Sequence, residues 1–209
     1  MKNTILTMAG IVLIVLSVVG CRKQSIKQLT DDESRVYITN RDASANFTTY
    51  RTVSVADQVL LIDGNSATPQ NNAVDQAFIS AFRTSLQQRG YTLVDKTANP
   101  DLGVQINRII RTSTGVVAFP DYWGFWDPLF WGVPGAGWGF PGFWGVGTYQ
   151  VREGMLSTDI VDLKNISNNN NQIRLLWNGI VRGNGIFNAN TAGSQVQQLF
   201  EQSPYLRAN

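Results

Sequence analysis

The side chains able to do chemistry in this chain are one thiol, Cys21, and a limited set of acids. Histidine is absent from all 209 residues. Its absence excludes a Ser-His-Asp or Cys-His relay and every histidine-ligated metal site. A single cysteine also excludes a disulfide within the chain. Any catalysis would rest on carboxylates, lysine, serine or tyrosine, and we expect neither a metal nor a cofactor.

Cys21 directly follows an apolar run from Ile5 to Gly20. A positively charged residue near the start, here Lys2, an apolar middle and small residues before the cleavage site are the parts of a secretory signal. The residues Val18-Val19-Gly20-Cys21 resemble the bacterial lipobox, which is cleaved before its cysteine. A short transmembrane anchor is the alternative, but spanning a bilayer takes about 20 apolar residues and this run is shorter. We predict a lipoprotein signal peptide at 1–20 and a lipid on Cys21.

The lipid predicts a protein held at the bacterial envelope by a polar tether, residues 21–35. Because Arg22 rather than aspartate follows Cys21, retention at the inner membrane by the enterobacterial rule is not indicated. We expect the outer membrane, with the domain facing the periplasm or the exterior. The formal charge of +2 includes no dense basic block, so nucleic acid is not an expected partner. The expected partners are the membrane, through Cys21, and an envelope protein or glycan.

The chain could be an enzyme only through a pair of acids, and it would then be a hydrolase of cell-wall glycan. Such a pair lies about 5–9.5 Å apart on one cleft wall. Asp159 and Asp162 are three positions apart on a predicted strand, so they should face opposite sides. Glu153 and Asp159 are six apart, or about 20 Å at ~3.3 Å per residue. We therefore predict a non-catalytic binding or structural role, with Asp162 at a hairpin turn, and keep the hydrolase as the alternative.

Two helices and several strands must position these residues. An apolar stripe from Val74 repeats at helical spacing and stops at Gly90, which predicts a helix. Ser194 is expected to cap a second helix that ends before Ser203-Pro204. Composition between Asp63 and Asn72 is typical of a loop. Strands are predicted at 36–39, 46–55, 91–94, 101–111, 149–163 and 173–182.

Alternation within the strands predicts which face each residue occupies. In 101–111 the apolar residues share one face, and Gln105 and Asn107 point the other way, so a half-buried strand is expected. In 173–182, Leu175 and Trp177 should lie on one face and Asn178 on the other. Residues 36–206 are expected to form a single α+β domain. Its sheet would be antiparallel-dominated, of about five strands, with two helices packed on one face.

A long glycine and aromatic insertion, residues 119–148, interrupts this pattern. Phe119 to Tyr149 holds twelve aromatics, eight glycines and four prolines, and glycine and proline break helices and strands. The aromatics need cover, because each buries about 150–250 Å². They could fold back over the sheet, contact a partner protein or glycan, or meet a membrane. The candidate binding surface consists of Trp123, Trp126, Trp131, Trp138 and Trp144.

Several short motifs, in their order and spacing, resemble one known family. They include Phe47-Thr48-Thr49-Tyr50, Asn99-Pro100-Asp101-Leu102-Gly103, Leu176-Trp177-Asn178-Gly179 and Ser203-Pro204-Tyr205. The chain resembles, over residues 36–206, the bacterial lipoproteins grouped under domain of unknown function 4136, most closely those of Bacteroidetes. The resemblance implies an envelope location and an α+β domain. It implies no reaction, cofactor or catalytic residue.

Overall fold

The computed structural model describes residues 30–64, 66–111, 116–117, 128–139, 149–150 and 154–209. Residues 31–209 form one compact unit. The predicted signal peptide, Cys21 and most of the tether lie outside the described residues. Among the helices that are described, none has the length and apolar character needed to cross a membrane.

The described residues form three helices and ten strands. The helices are α1 (Asp31–Ser34), α2 (Ala73–Gln88) and α3 (Ala192–Glu201). The strands are β1 (Val36–Arg41), β2 (Thr52–Asp63), β3 (Ser66–Gln70), β4 (Thr92–Leu93), β5 (Leu102–Arg111), β6 (Val116–Val117), β7 (Gly137–Gly139), β8 (Tyr149–Gln150), β9 (Met155–Asp162) and β10 (Gln172–Arg182).

Eight of the strands form one mixed sheet, so the prediction of about five mainly antiparallel strands was wrong. The order is β1-β10-β9-β5-β2-β3, with β4 paired to β2 and β7 paired to β10. The pairs β2–β5, β2–β4 and β10–β7 are parallel. Helix α2 returns the chain to the start of β2, where Thr92 pairs with Thr52. Such a crossover makes the next strands run parallel to β2. The α+β class itself is confirmed.

Helix α2 forms for local reasons and confirms the prediction from the apolar stripe. The side chain of Asn72 accepts from the backbone N–H groups of Val74 and Asp75 at 2.9 and 3.2 Å. The Asp75 carboxylate accepts from the Asn72 N–H, which completes a capping box. Past the helix end, Gly90 has φ of 87°, a backbone conformation that glycine adopts without strain.

Two predicted boundaries on either side of β2 were wrong. The strand expected from Asn46 begins only at Thr52, because the Asn46 side chain accepts from the Thr48 N–H at 3.3 Å and closes a 3₁₀ turn, Phe47–Thr49. The loop expected from Asp63 to Asn72 contains β3 instead. Strand β3 pairs antiparallel with the second half of β2.

The start of α3 also differs from the prediction. Ser194 lies inside the helix and its hydroxyl donates to the Thr191 carbonyl at 3.0 Å. A 3₁₀ turn, Ala189–Thr191, leads into α3 and is capped by the Asn188 side chain. The helix therefore begins two residues earlier than Ser194.

The strand predicted over 149–163 is divided into β8 and β9. Gly154 precedes β9 with φ of 119°, and the Phe187 ring lies 2.7 Å from the point where a Cβ would stand. Strand β9 then pairs antiparallel with β10, as expected of the hairpin joined by the asparagine-rich loop.

A register shift between Leu175 and Trp177 changes the faces of β10. Leu175 packs on one side of the sheet and Trp177 on the other, so the prediction of a shared face was wrong. A bulge inserts one residue and reverses the alternation that follows. The Trp177 ring occupies the space beside Gly179 where a Cβ would lie.

The core is divided by the sheet into two layers. We call the side covered by α2 and α3 the helix face and the opposite side the aromatic face. The helix face holds the larger cluster, which includes Phe78, Phe82, Leu86, Val104, Ile160, Trp177 and Phe200. The aromatic face holds Leu60, Ile109, Trp131, Met155, Val161, Leu175 and Ile180.

Candidate functional site

A row of polar residues crosses the middle of the aromatic face. Asn40, Asn178, Asp159 and Gln105 are register neighbours on β1, β10, β9 and β5; we call them the polar row. Asn178, Asp159 and Gln105 are 0% exposed. The prediction that β5 is half-buried was therefore wrong, because its polar face is covered as completely as its apolar one.

Asp159 accepts hydrogen bonds on both carboxylate oxygens. The Asn178 amide donates to Oδ1 at 2.6 Å and the Asn107 amide donates to Oδ2 at 3.1 Å. The Asn178 amide also donates to the Ser157 hydroxyl at 2.9 Å. Amide donors on the neighbouring strands thus fix the orientation of the carboxylate.

Gln105 differs from the rest of the polar row. Within the described part of the chain, neither its amide nitrogen nor its amide oxygen has a hydrogen-bond partner. A buried polar group without a partner costs about 1–3 kcal/mol. Such groups are rare in folded proteins and each one calls for an explanation.

A gap in the sheet lies at the outer edge of β2. Strand β4 pairs with β2 at Thr52 and Val53, and β3 pairs with it from Val59 onward. The β2–β5 register is also interrupted between Val55 and Val59, opposite the position of Gln105. A cavity of about 110 Å³ opens at this gap; we call it the edge cavity.

Two aromatic side chains of the insertion line the edge cavity. Phe130 and Trp131 end a 3₁₀ turn, Pro128–Trp131, and their rings meet edge to face at 5.0 Å. The Trp131 ring packs over Gly103, where an added Cβ would stand 3.0 Å from it. Gly103 is two positions before Gln105, so both lie on the aromatic face about 6.6 Å apart along the strand.

The polar groups around the edge cavity balance in charge. They are the buried Ser54 hydroxyl and the side chains of Asp57, Arg83, Asp95 and Lys96. The Lys96 ammonium lies 4.1 Å from the centre of the Phe130 ring, a cation–π contact. Hydrogen bonds from the backbone and hydroxyl of Thr97 lower the pKa of Asp95. Two cations and two carboxylates leave the cavity without net charge.

The predicted acids lie on opposite faces of β9. Asp159 belongs to the aromatic face, and Asp162 accepts from the Tyr50 hydroxyl on the helix side at 2.9 Å. Asp162 also accepts from the backbone N–H groups of Lys164 and Asn165, both at 3.0 Å, which confirms its role at the turn. Burial, followed by the negative charge of Asp162, raises the pKa of Tyr50. Glu153 lies outside the described residues.

No metal centre is found in the described part of the chain, where no three acids or cysteines cluster.

Two of the five predicted tryptophans are described. Trp131 is 4% exposed, and Trp138 is half-buried on β7, which pairs with β10. Trp123, Trp126 and Trp144 lie outside the described residues. Residues 128–139 therefore pack on the aromatic face, as in the first of the three coverings considered, and the tip of this turn exposes Leu129.

Apart from Trp131, the sequence prediction missed the residues that line the edge cavity. Ser54 and Lys96 carry no distinguishing motif. Gln105 had a signal, a glutamine alternating with apolar residues, but the same pattern is typical of a solvent-facing side chain. The cavity could be recognised only after β2, β4 and residues 128–131 were placed together.

The fold and the site define a class of protein: a two-layer α+β domain whose mixed sheet buries a row of polar residues. The chain belongs to the family described as "Domain of unknown function (DUF4136)", which matches residues 38–205. This match confirms the family resemblance.

A crystal structure of a DUF4136 family protein from Bacteroides thetaiotaomicron is similar, with 28% identity and a TM-score of 0.69. The similarity covers 83% of this chain and 98% of that chain. Among curated proteins, none matches the sequence.

Proposed function

We propose that this protein is lipid-anchored to the bacterial outer membrane through Cys21 and that its domain binds an envelope partner, protein or glycan, without catalysis. The binding surface is the region where the aromatic insertion meets the edge of the sheet. The edge cavity is the observation that carries this proposal: it is open, it combines aromatic and polar walls, and it includes Trp131. Ligand sites are concave and typically combine these two kinds of lining.

Trp131 supports the proposal because it holds the insertion against the sheet, rather than because it touches the partner. Its burial over Gly103 holds the turn 128–131 against the sheet. The turn then presents Leu129, which is 60% exposed. A surface that is held in place before binding loses less conformational entropy on association. Trp123, Trp126 and Trp144, from the same insertion, are proposed as further contacts.

The placement of the predicted acids Asp159 and Asp162 gives no support to the hydrolase alternative. Both oxygens of Asp159 accept from amides, and Asp162 lies on the other face of the sheet at a turn. A glycosidase pair needs two acids on one cleft wall. These two acids do not provide such a pair.

Site-specific photo-crosslinking in intact cells tests the binding surface. The chain offers a matched pair of exposed apolar positions, Leu129 on the insertion and Val36 on β1, which is 44% exposed. A benzophenone amino acid at position 129 should give a discrete adduct with a protein or glycan, and the same group at position 36 should not. Equal adducts at both positions, or none at 129, would refute the proposed surface.

Metabolic labelling tests the anchor separately. Cells given a palmitate analogue should label the natural chain and not the Cys21→Ser variant, and the variant should keep its signal peptide. An unlabelled natural chain, or a variant that matures and localises normally, would rule out the lipid anchor.

A further inference from the structure

The dipeptide Asn-Gly occurs twice in the chain, at Asn178-Gly179 and at Asn184-Gly185. In this dipeptide the backbone nitrogen of the glycine can attack the side-chain carbonyl carbon of the asparagine, because glycine has no side chain to obstruct the approach. The attacking N–H proton and the side-chain NH₂ group leave together as ammonia, and a five-membered succinimide ring forms. Water then opens the ring at one of its two carbonyl carbons and gives aspartate or isoaspartate.

The fold protects Asn178-Gly179 from this reaction. Gly179 lies in β10, between β1 and β9. Asn178 is 0% exposed, and its amide donates to the Asp159 carboxylate at 2.6 Å and to the Ser157 hydroxyl at 2.9 Å. The amide would have to leave both hydrogen bonds, and water would have to enter the sheet. Reaction at this dipeptide therefore requires β10 to open.

Asn184-Gly185 lies in a turn directly after β10, and both residues are exposed. Gly185 has φ of 61°, a conformation that glycine adopts without strain. Within the described residues, the Gly185 N–H donates no hydrogen bond. The attacking nitrogen is therefore available, and water can reach the ring that forms. The same dipeptide thus stands in two opposite environments.

The turn at Asn184-Gly185 also holds α1 against the domain. The Asn184 N–H donates to the Ser34 hydroxyl at 3.2 Å, and the Arg35 guanidinium donates to the Gly185 carbonyl at 3.2 Å. The Asp31 carboxylate lies beside Gly185, where it would be 2.5 Å from an added Cβ. Helix α1 and Arg35 are the last part of the predicted tether, so a chemical change in this turn acts where the tether joins the domain.

We infer that Asn184-Gly185 is a site of spontaneous deamidation and that the reaction loosens α1. Deamidation places a negative charge one residue from the glycine that Asp31 contacts, and like charges repel. Isoaspartate also adds a methylene group to the backbone, which displaces the Gly185 carbonyl from the Arg35 guanidinium. This modification site is independent of the proposed binding function.

Peptide mapping of the full chain, incubated in mildly alkaline buffer, tests the reaction. Trypsin cleaves after Arg174 and Arg182, so the two asparagines fall on separate peptides. Mass spectrometry measures the conversion of amide to acid, and enzymatic methylation detects isoaspartate. Asn184 should convert faster than Asn178 by about tenfold or more, because reaction at Asn178 needs local opening of the sheet.

The same incubation in urea is the control for intrinsic reactivity. Asn178 and Asn184 are both followed by glycine, so they should convert at similar rates in the unfolded chain. Similar rates in the folded chain would overturn the inference. It would also be overturned if Asn184 stayed intact in the folded chain while both asparagines reacted in urea.

Brief digestion of the folded chain with trypsin tests the effect on α1. Trypsin must bind the Arg35 side chain, which is 3% exposed, to cleave before Val36. This cleavage should become about threefold to tenfold faster after deamidation, because the bond from Arg35 to Gly185 is weakened. The matched variant is Asn184→Gln, whose longer side chain would need a larger ring; its cleavage rate should not change during incubation. Equal cleavage before and after deamidation of the natural chain would show that the reaction does not loosen α1.

Discussion

The two faces of the sheet differ in the polar residues that they bury. The helix face is closed by α2 and α3 over most of the largest buried side chains. Its buried polar groups include the Trp177 indole, which donates to the Ser203 hydroxyl at 2.9 Å, and the Thr158 hydroxyl, which has no partner among the described residues. The aromatic face places a row of amides and a carboxylate among aliphatic side chains, and the Gln105 amide has no hydrogen-bond partner in the described part of the chain. This contrast teaches that stability resides mainly in the helix face, which holds the larger apolar cluster, whereas the aromatic face gives up part of its apolar packing to the polar row.

The largest expected effect is on the helix face. Trp177→Ala removes a fully buried ring and its bond to Ser203, and should lower the free energy of unfolding by about 3–5 kcal/mol. Urea unfolding followed by circular dichroism measures this loss. A loss below about 1 kcal/mol would refute the assignment of the main core to this face.

The polar row should also matter for stability, but less. Asp159→Ala removes the carboxylate that accepts from the Asn107 and Asn178 amides, at a total cost of roughly 1–3 kcal/mol, since the Asn178 amide keeps its bond to the Ser157 hydroxyl. The same urea titration measures it. Asp57→Ala, at the exposed edge of the cavity, is the control and should change stability by less than about 0.5 kcal/mol. Equal effects would contradict a buried, bonded Asp159.

Two tyrosines at the helix face should make the fold sensitive to alkali. Burial is the main cause that raises the pKa of Tyr50 and of Tyr91 above the usual value near 10. Between the unfolded and folded pKa values the folded state binds more protons, so stability is intact below about pH 10 and decreases as pH rises above it. Unfolding at pH 9 and pH 11 should show the decrease, and Tyr91→Phe should reduce it. A profile flat to pH 11 would contradict the burial of both phenols.

The smallest effect is expected at the wall of the edge cavity. Lys96→Gln removes the cation over the Phe130 ring and should cost about 0.5–1 kcal/mol. Phe130→Leu should lose the same contact together with the edge-to-face contact to Trp131, and the double variant should lose less than the sum of the two single losses. Fully additive losses would show that the two side chains do not interact.

The parts of the fold that depend on interactions between residues close in sequence were predictable from the sequence. Helix α2 was predictable because Asn72, Asp75 and Gly90 act within one turn of its ends. The hairpin of β9 and β10 and the turn role of Asp162 were predictable for the same reason. Strand β3 was not predictable, since it forms by pairing with the second half of β2. The late start of β2 has a local cause, the bond from the Thr48 N–H to the Asn46 side chain, which the strand pattern did not reveal.

The candidate site depended on longer-range contacts. Gln105 and Asn107 alternate with apolar residues, and this pattern alone predicts a solvent-facing side. The polar row appears only when four strands come into register, and the edge cavity only when the Phe130-Trp131 turn packs over Gly103. The sequence separation of these residues is too large for any local pattern to predict their contact.

Sequence by itself determined the family, the α+β class and the capped helix, because motif order and local hydrogen bonds reside in neighbouring residues. Tertiary structure alone decided the parallel β2–β5 pairing, the complete burial of Gln105, Asp159 and Asn178, and the lack of a hydrogen-bond partner for Gln105 among the described residues. Burial is a property of the whole packed chain, so a polar side chain in a strand shows its cost only when the opposite layer is in place.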